Sequence, residues 1–277
     1  MEPNQYYYRQ VAYDYEPIFA TGAMLGVTDP FAVLGILDTV EQTGLDVMSA
    51  GVALAWATEA LEKGIIGEEE TLAPLRFGEV NMYTEAVRHL AAGTNSFYQL
   101  LAQGTAKAAS EYGGTEFACV LGQEMAGYAT GEVFFVSQAL GFRHSHLDSS
   151  GYSYDQKSEA IVPEDAVDFL VKDEQERVFL TSMVACLFAR SVYKEELLAE
   201  CLHSVGYSTL AETIPKVSQG LQERRWQIRL STGYDPTAIE IPKRFKNVST
   251  WKGPIGGRTL DQLRQQYAQK IIGMGQQ

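Results

Sequence analysis

A chain of 277 residues, 45% of them hydrophobic, is long enough for one large domain or two lobes with real cores, which excludes a marginal mini-domain. Its 22 Lys and Arg stand against 35 Asp and Glu, and the resulting net charge of −13 repels phosphate backbones and acidic lipid surfaces, so neither a nucleic-acid nor a membrane partner is expected. No apolar run has the length of a membrane span, the first residues form neither a basic start nor an apolar signal core, and Cys119, Cys186 and Cys201 sit at no Cys-x-x-Cys spacing. The expectation is a cytoplasmic chain with no disulfide framework and no complete metal site of its own.

Asp29-Pro30 predicts a helix start, with Asp as N-cap and Pro in the first turn, and the helix is expected to end near Gly44. The stretch Gly44-Leu45-Asp46-Val47-Met48-Ser49-Ala50-Gly51 then leads into a helix over residues 52–63 that is apolar almost all round, the pattern of a helix deep in a core. Helical spacing recurs over 84–92, 96–111, 163–172, 178–193, 197–205, 214–229 and 260–272. Strand alternation has one candidate, 116–121. Residues 149–162, rich in Ser, Tyr and Gly, are expected to form a long functional loop, and 234–257 to wrap an already formed body. The fold class expected is all-α, as two packed helical lobes over residues 1–160 and 161–277.

Within this frame, Gly44 is placed to close a helix in a left-handed turn, while Asp46 and Ser49 can satisfy free amides at the start of the next. The segment reads either as a plain helix corner or as a loop presenting polar groups to a ligand. Cys186 lies in an apolar stretch, Thr181-Ser182-Met183-Val184-Ala185-Cys186-Leu187-Phe188, where a thiol is either a small core residue or a ligand. His144 and His146, two apart, share no helix face. The glycines at 113–114 and 253–257 lack the spacing of a phosphate-binding loop.

Four elements resemble, in order, the C-terminal helical region of the tungsten-dependent aldehyde ferredoxin oxidoreductase family: Glu41-Gln42-Thr43-Gly44-Leu45-Asp46, residues 93–104, residues 120–128 and Ile241-Pro242-Lys243-Arg244-Phe245. The resemblance implies that Glu41, Gly44, Leu45 and Asp46 contact a pterin, with Glu41 standing where the family has Asp. The family's second Asp-x-x-Gly-Leu-Cys falls on Thr181–Cys186, with Thr181 for Asp, Val184 for Gly and Ala185 for Leu. It implies Cys186 as one ligand of a [4Fe-4S] cluster, and His146 and Tyr128 facing the substrate, His146 by analogy with the family's Arg-Gly-x-x-His-Leu. The function implied is part of an enzyme that oxidises a small aldehyde to a carboxylic acid on tungsten or molybdenum held by two pterins, passing electrons to ferredoxin or another carrier. Both cofactors would need an N-terminal domain or partner subunit carrying the remaining cysteines. The alternative from another class is a non-catalytic helical scaffold that binds a partner.

Overall fold

The computed structural model describes residues 10–119, 123–125, 129–143 and 145–276, and the regular secondary structure among them is almost wholly helical. Contacts divide the chain into two units, Met1–Tyr128 and Ala129–Gln277. The division falls ahead of the expected boundary near 160.

The first unit contains α1 (Tyr15–Thr21), α2 (Pro30–Thr43), α3 (Val47–Glu62), α4 (Glu68–Thr71), α5 (Val80–Ala92), α6 (Ser96–Leu101) and α7 (Thr105–Tyr112). Asp29 caps α2 by accepting from the Ala32 N–H at 2.8 Å, as its Asp-Pro start predicts. Helix α3 starts earlier than residue 52, because Gly51 is helical and packs against α1. A Cβ on Gly51 would meet Ala20 O at 2.5 Å and Ala20 C at 2.7 Å, so only glycine allows this approach of α1. Around α3, Trp56 stacks on Phe97 with centroids 6.1 Å apart, and both rings are buried. Two hydroxyl pairs lie within this core: Thr58 and Tyr83 hydroxyls are 3.1 Å apart, and the Tyr98 hydroxyl donates to Thr71 O at 2.6 Å. The helix expected over 96–111 is two helices, broken at Gly104 with φ 116°. The strand expected at 116–121 is a 3₁₀ turn at Thr115–Phe117, and residues 120 and 121 lie outside the described residues.

The second unit contains α8 (Glu132–Leu140), α9 (Gly151–Lys157), α10 (Pro163–Ser182), α11 (Glu195–Ser204), α12 (Ser208–Glu212), α13 (Ile214–Ser231) and α14 (Gly257–Gly275). Helix α14 packs against α8, α10 and α13, with Leu260, Leu263, Tyr267 and Ile271 buried. The long loop expected at 149–162 instead holds α9. Buried Asp155 on α9 accepts the Val133 and Phe134 N–H groups at 3.2 and 2.9 Å and the Thr130 hydroxyl at 3.1 Å, capping α8 from outside its own sequence. Burial pushes the Asp155 carboxyl up to about 6. The tail does lie on helical surface: Gly256 N–H donates to Glu132 Oε1 at 2.6 Å and Phe245 sits 4.4 Å from Phe135. Its two-residue strands, Ser249–Thr250 and Gly253–Pro254, pair antiparallel.

The helix expected over 178–193 is present only to Ser182, as the last part of a longer helix. Helix α10 runs on from Pro163 to Ser182 and stops there, and a 3₁₀ turn follows at Leu187–Ala189. At the core of α10, Glu174 is 1% exposed and its Oε2 accepts from Gln222 Nε2 at 2.9 Å and Trp226 Nε1 at 3.1 Å. Burial dominates over these bonds and raises its carboxyl to about 7.

Candidate functional site

The corner between α2 and α3 forms as local chemistry dictates. Gly44 takes the left-handed conformation at φ 74°, its N–H donating to Glu41 O at 3.1 Å while Leu45 N–H reaches Val40 O at 3.3 Å. Asp46 then caps α3, its Oδ1 accepting the Ser49 N–H at 2.8 Å. On α2 the Asp38 carboxylate accepts from Gln42 Nε2, at 3.0 and 3.1 Å from its two oxygens. Glu41, Gly44 and Asp46 are exposed and Leu45 is half-buried. The space where a Cβ of Gly44 would point is open. The structure therefore brings the four sequence-predicted residues together as one corner of the first unit, with the Glu41 carboxylate and Asp46 Oδ2 on its outer surface.

In the second unit, residues 181–186 repeat this backbone. Val184 stands at φ 58° where the first corner has glycine, its N–H donating to Thr181 O at 3.0 Å and Ala185 N–H to Leu180 O at 3.2 Å. Cys186 at φ −70°, ψ 134° matches Asp46 at φ −66°, ψ 123°. A β-branched residue in the left-handed region is strained, and its retention here follows from the two hydrogen bonds that close α10. The side chains differ. Cys186 makes no capping bond and is exposed, Val184 is 94% exposed and Phe188 80% exposed. Cys186 is therefore not the buried core thiol that its apolar setting allowed.

His146 lies half-buried in the turn after Phe142, where its carbonyl accepts from Arg177 Nη1 at 3.1 Å. Tyr128 and His144 lie outside the described residues. Glu124, within the 120–128 element, accepts the Thr105 N–H at 2.8 Å and so caps α7 across the first unit. Nearby Cys119 is half-buried, and burial with the adjacent Glu124 charge pushes its thiol up to about 11, leaving it protonated and unreactive at neutral pH. Sequence reading missed Arg177 and Asp148, which organise the His146 turn. They stand far apart in the chain and carry no spacing signal.

Among the described residues no group of three or more His, Cys, Asp or Glu side chains is placed to hold a metal ion. An exposed Cys186 fits a role as one thiolate at a cluster whose other ligands lie elsewhere, while the open Gly44 corner offers acceptors, not metal ligands.

Residues 2–270 match the family described as aldehyde ferredoxin oxidoreductase, domains 2 and 3. The tungsten-containing aldehyde ferredoxin oxidoreductases of Pyrococcus furiosus and Thermococcus kodakarensis are each 26% identical over 262 residues, covering 89% of this chain and 43% of their own length. The aliphatic sulfonate oxidoreductase WOR-like subunit of Pyrococcus furiosus is 29% identical over 96 residues, 35% of this chain and 15% of its own. This chain thus spans less than half the length of the curated relatives it matches.

Proposed function

Because this chain belongs to the aldehyde ferredoxin oxidoreductase family, matching its domains 2 and 3, we propose that it forms one wall of a pterin-metal site that oxidises small aldehydes to carboxylic acids. The observation that carries this reading is the repeated corner, Glu41–Asp46 in one unit and Thr181–Cys186 in the other, built with the same hydrogen bonds. Tungsten or molybdenum on two pterins would supply the two-electron oxidation, with a [4Fe-4S] cluster passing electrons to ferredoxin or another carrier.

In this reading Glu41 and Asp46 Oδ2 accept pterin N–H groups over the open Gly44 backbone, where a side chain would block the approach, and Leu45 supports the corner from below. Cys186 supplies one thiolate of four. His146 holds or moves a proton at the substrate oxygen, and Tyr128 donates its hydroxyl to the same atom. The rest of the cofactor cradle comes from an N-terminal domain or a partner subunit, since the relatives devote more than half their length to parts that this chain does not match.

A second reading, a non-catalytic helical module that docks a partner, draws on the exposed apolar side chains of Val184, Phe188 and Val192 and on the altered residues of the second corner. Metal content separates the two. The chain co-produced anaerobically with a cysteine-rich N-terminal portion of the family is expected to copurify with tungsten or molybdenum and about four iron per complex. A stable complex free of all three metals would overturn the catalytic reading.

A further inference from the structure

In the second unit a cleft of about 190 Å³ opens between Arg143, Leu147 and Asp148 on one side and α10 and α13 on the other. Arg143, Arg177 and Arg225 converge on it from separate stretches of chain, Asp148 stands in its wall, and the neutral Thr181 and Ser182 lie at the rim. Arg143 Nε is 2.9 Å and Arg225 Nη2 3.3 Å from the same Asp148 oxygen, Oδ1. Arg177 Nε is 2.7 Å from Asp173 Oδ2, and its Nη1 donates to the carbonyls of His146 and Leu147 at 3.1 and 3.3 Å. Three guanidinium cations against two carboxylates leave one net positive charge, a local exception in a chain of net charge −13.

The geometry is that of a clamp. Arg225 stacks on the Phe142 ring at 4.0 Å, which fixes the plane of its guanidinium. Among the described residues Arg143 and Arg225 each give Asp148 a single side-chain nitrogen, so their remaining N–H groups are available to a second acceptor. A guanidinium edge pairs best with a planar, two-oxygen acceptor. One net positive charge matches a monoanion better than a dianion. The volume lies below the roughly 300 Å³ at which sites for drug-sized ligands begin, which limits the occupant to a few carbon atoms.

We propose that this cleft binds the carboxylate of a small organic acid between Arg143 and Arg225. It needs no metal and no partner, so it stands or falls separately from the oxidation proposed above. The test is titration of the 277-residue chain with sodium acetate at constant ionic strength, with sodium chloride and inorganic phosphate as parallel arms, read by the arginine Nε–H resonances in nitrogen-15 NMR. Saturable shifts of Arg143 and Arg225 with acetate, absent with chloride, are expected. Arg143→Gln, which replaces a half-exposed side chain, and Thr181→Asp, which cancels the net charge at an exposed position, are each expected to weaken acetate binding by about tenfold or more. No saturable shift with acetate, unchanged affinity in both folded variants, or phosphate binding more tightly than acetate would overturn the proposal.

Discussion

The two corners share a backbone and differ in what supports and surrounds it. The Gly44 corner has glycine at the left-handed position, an aspartate capping the next helix, and a mostly buried α3 continuing from it. The Val184 corner has a strained β-branched residue, an uncapped cysteine, and only a 3₁₀ turn ahead of it. The difference teaches that the hydrogen bonds closing a helix can impose the turn, whereas side chains decide whether it is a finished structural joint or an exposed edge.

Six substitutions sharpen that contrast. The largest effect is expected beneath the first corner: Gly51→Val drives side-chain atoms into the α1 backbone at Ala20 and should destabilise the chain by about 3 kcal/mol in urea unfolding. Next is the helix that leads into the second corner. Glu174, at about 7 in the folded chain, keeps a proton that the unfolded chain releases from about pH 4.5, so stability falls as pH rises between about 4.5 and 7. The loss across this window is of order 2 kcal/mol, and Glu174→Gln should flatten it in urea titrations run at several pH values.

Exchanging the residues at the left-handed positions gives opposite signs. Gly44→Val should destabilise by about 1–2 kcal/mol, while Val184→Gly should raise stability by up to about 1 kcal/mol, strain relief outweighing the added freedom of the unfolded chain. The smallest effects lie at the following residue. Asp46→Ala removes a capping acceptor and should lower stability by about 1 kcal/mol, whereas Cys186→Ala should change the isolated chain by less than about 0.5 kcal/mol. A comparable loss at Cys186 would mean that its thiol supports the fold.

The same contrast explains what could be read from sequence. Asp29-Pro30, Gly44 and Asp46 act on their own neighbours, so α2 and its corner were legible together with the all-α class. The end of α10 was not, because no Gly or Pro marks Val184 and the apolar run continues past it. Helices α8 and α9 escaped notice because distant contacts define them: Asp155 caps α8, and Gly151 fits where a Cβ would meet Ser137 Oγ at 2.5 Å. Of the candidate site, the Gly44 corner was legible as geometry. The cleft of Arg143, Arg177 and Arg225 was not, since its members meet only in the folded second unit.

The most direct test of the central claim, that Cys186 faces a cofactor and not merely solvent, is iron analysis of the complex between this chain and a cysteine-rich N-terminal portion, with wild type and Cys186→Ala compared. The account predicts about four iron per wild-type complex, with iron lost in the variant while helical content and complex formation persist. Equal iron in both would contradict it.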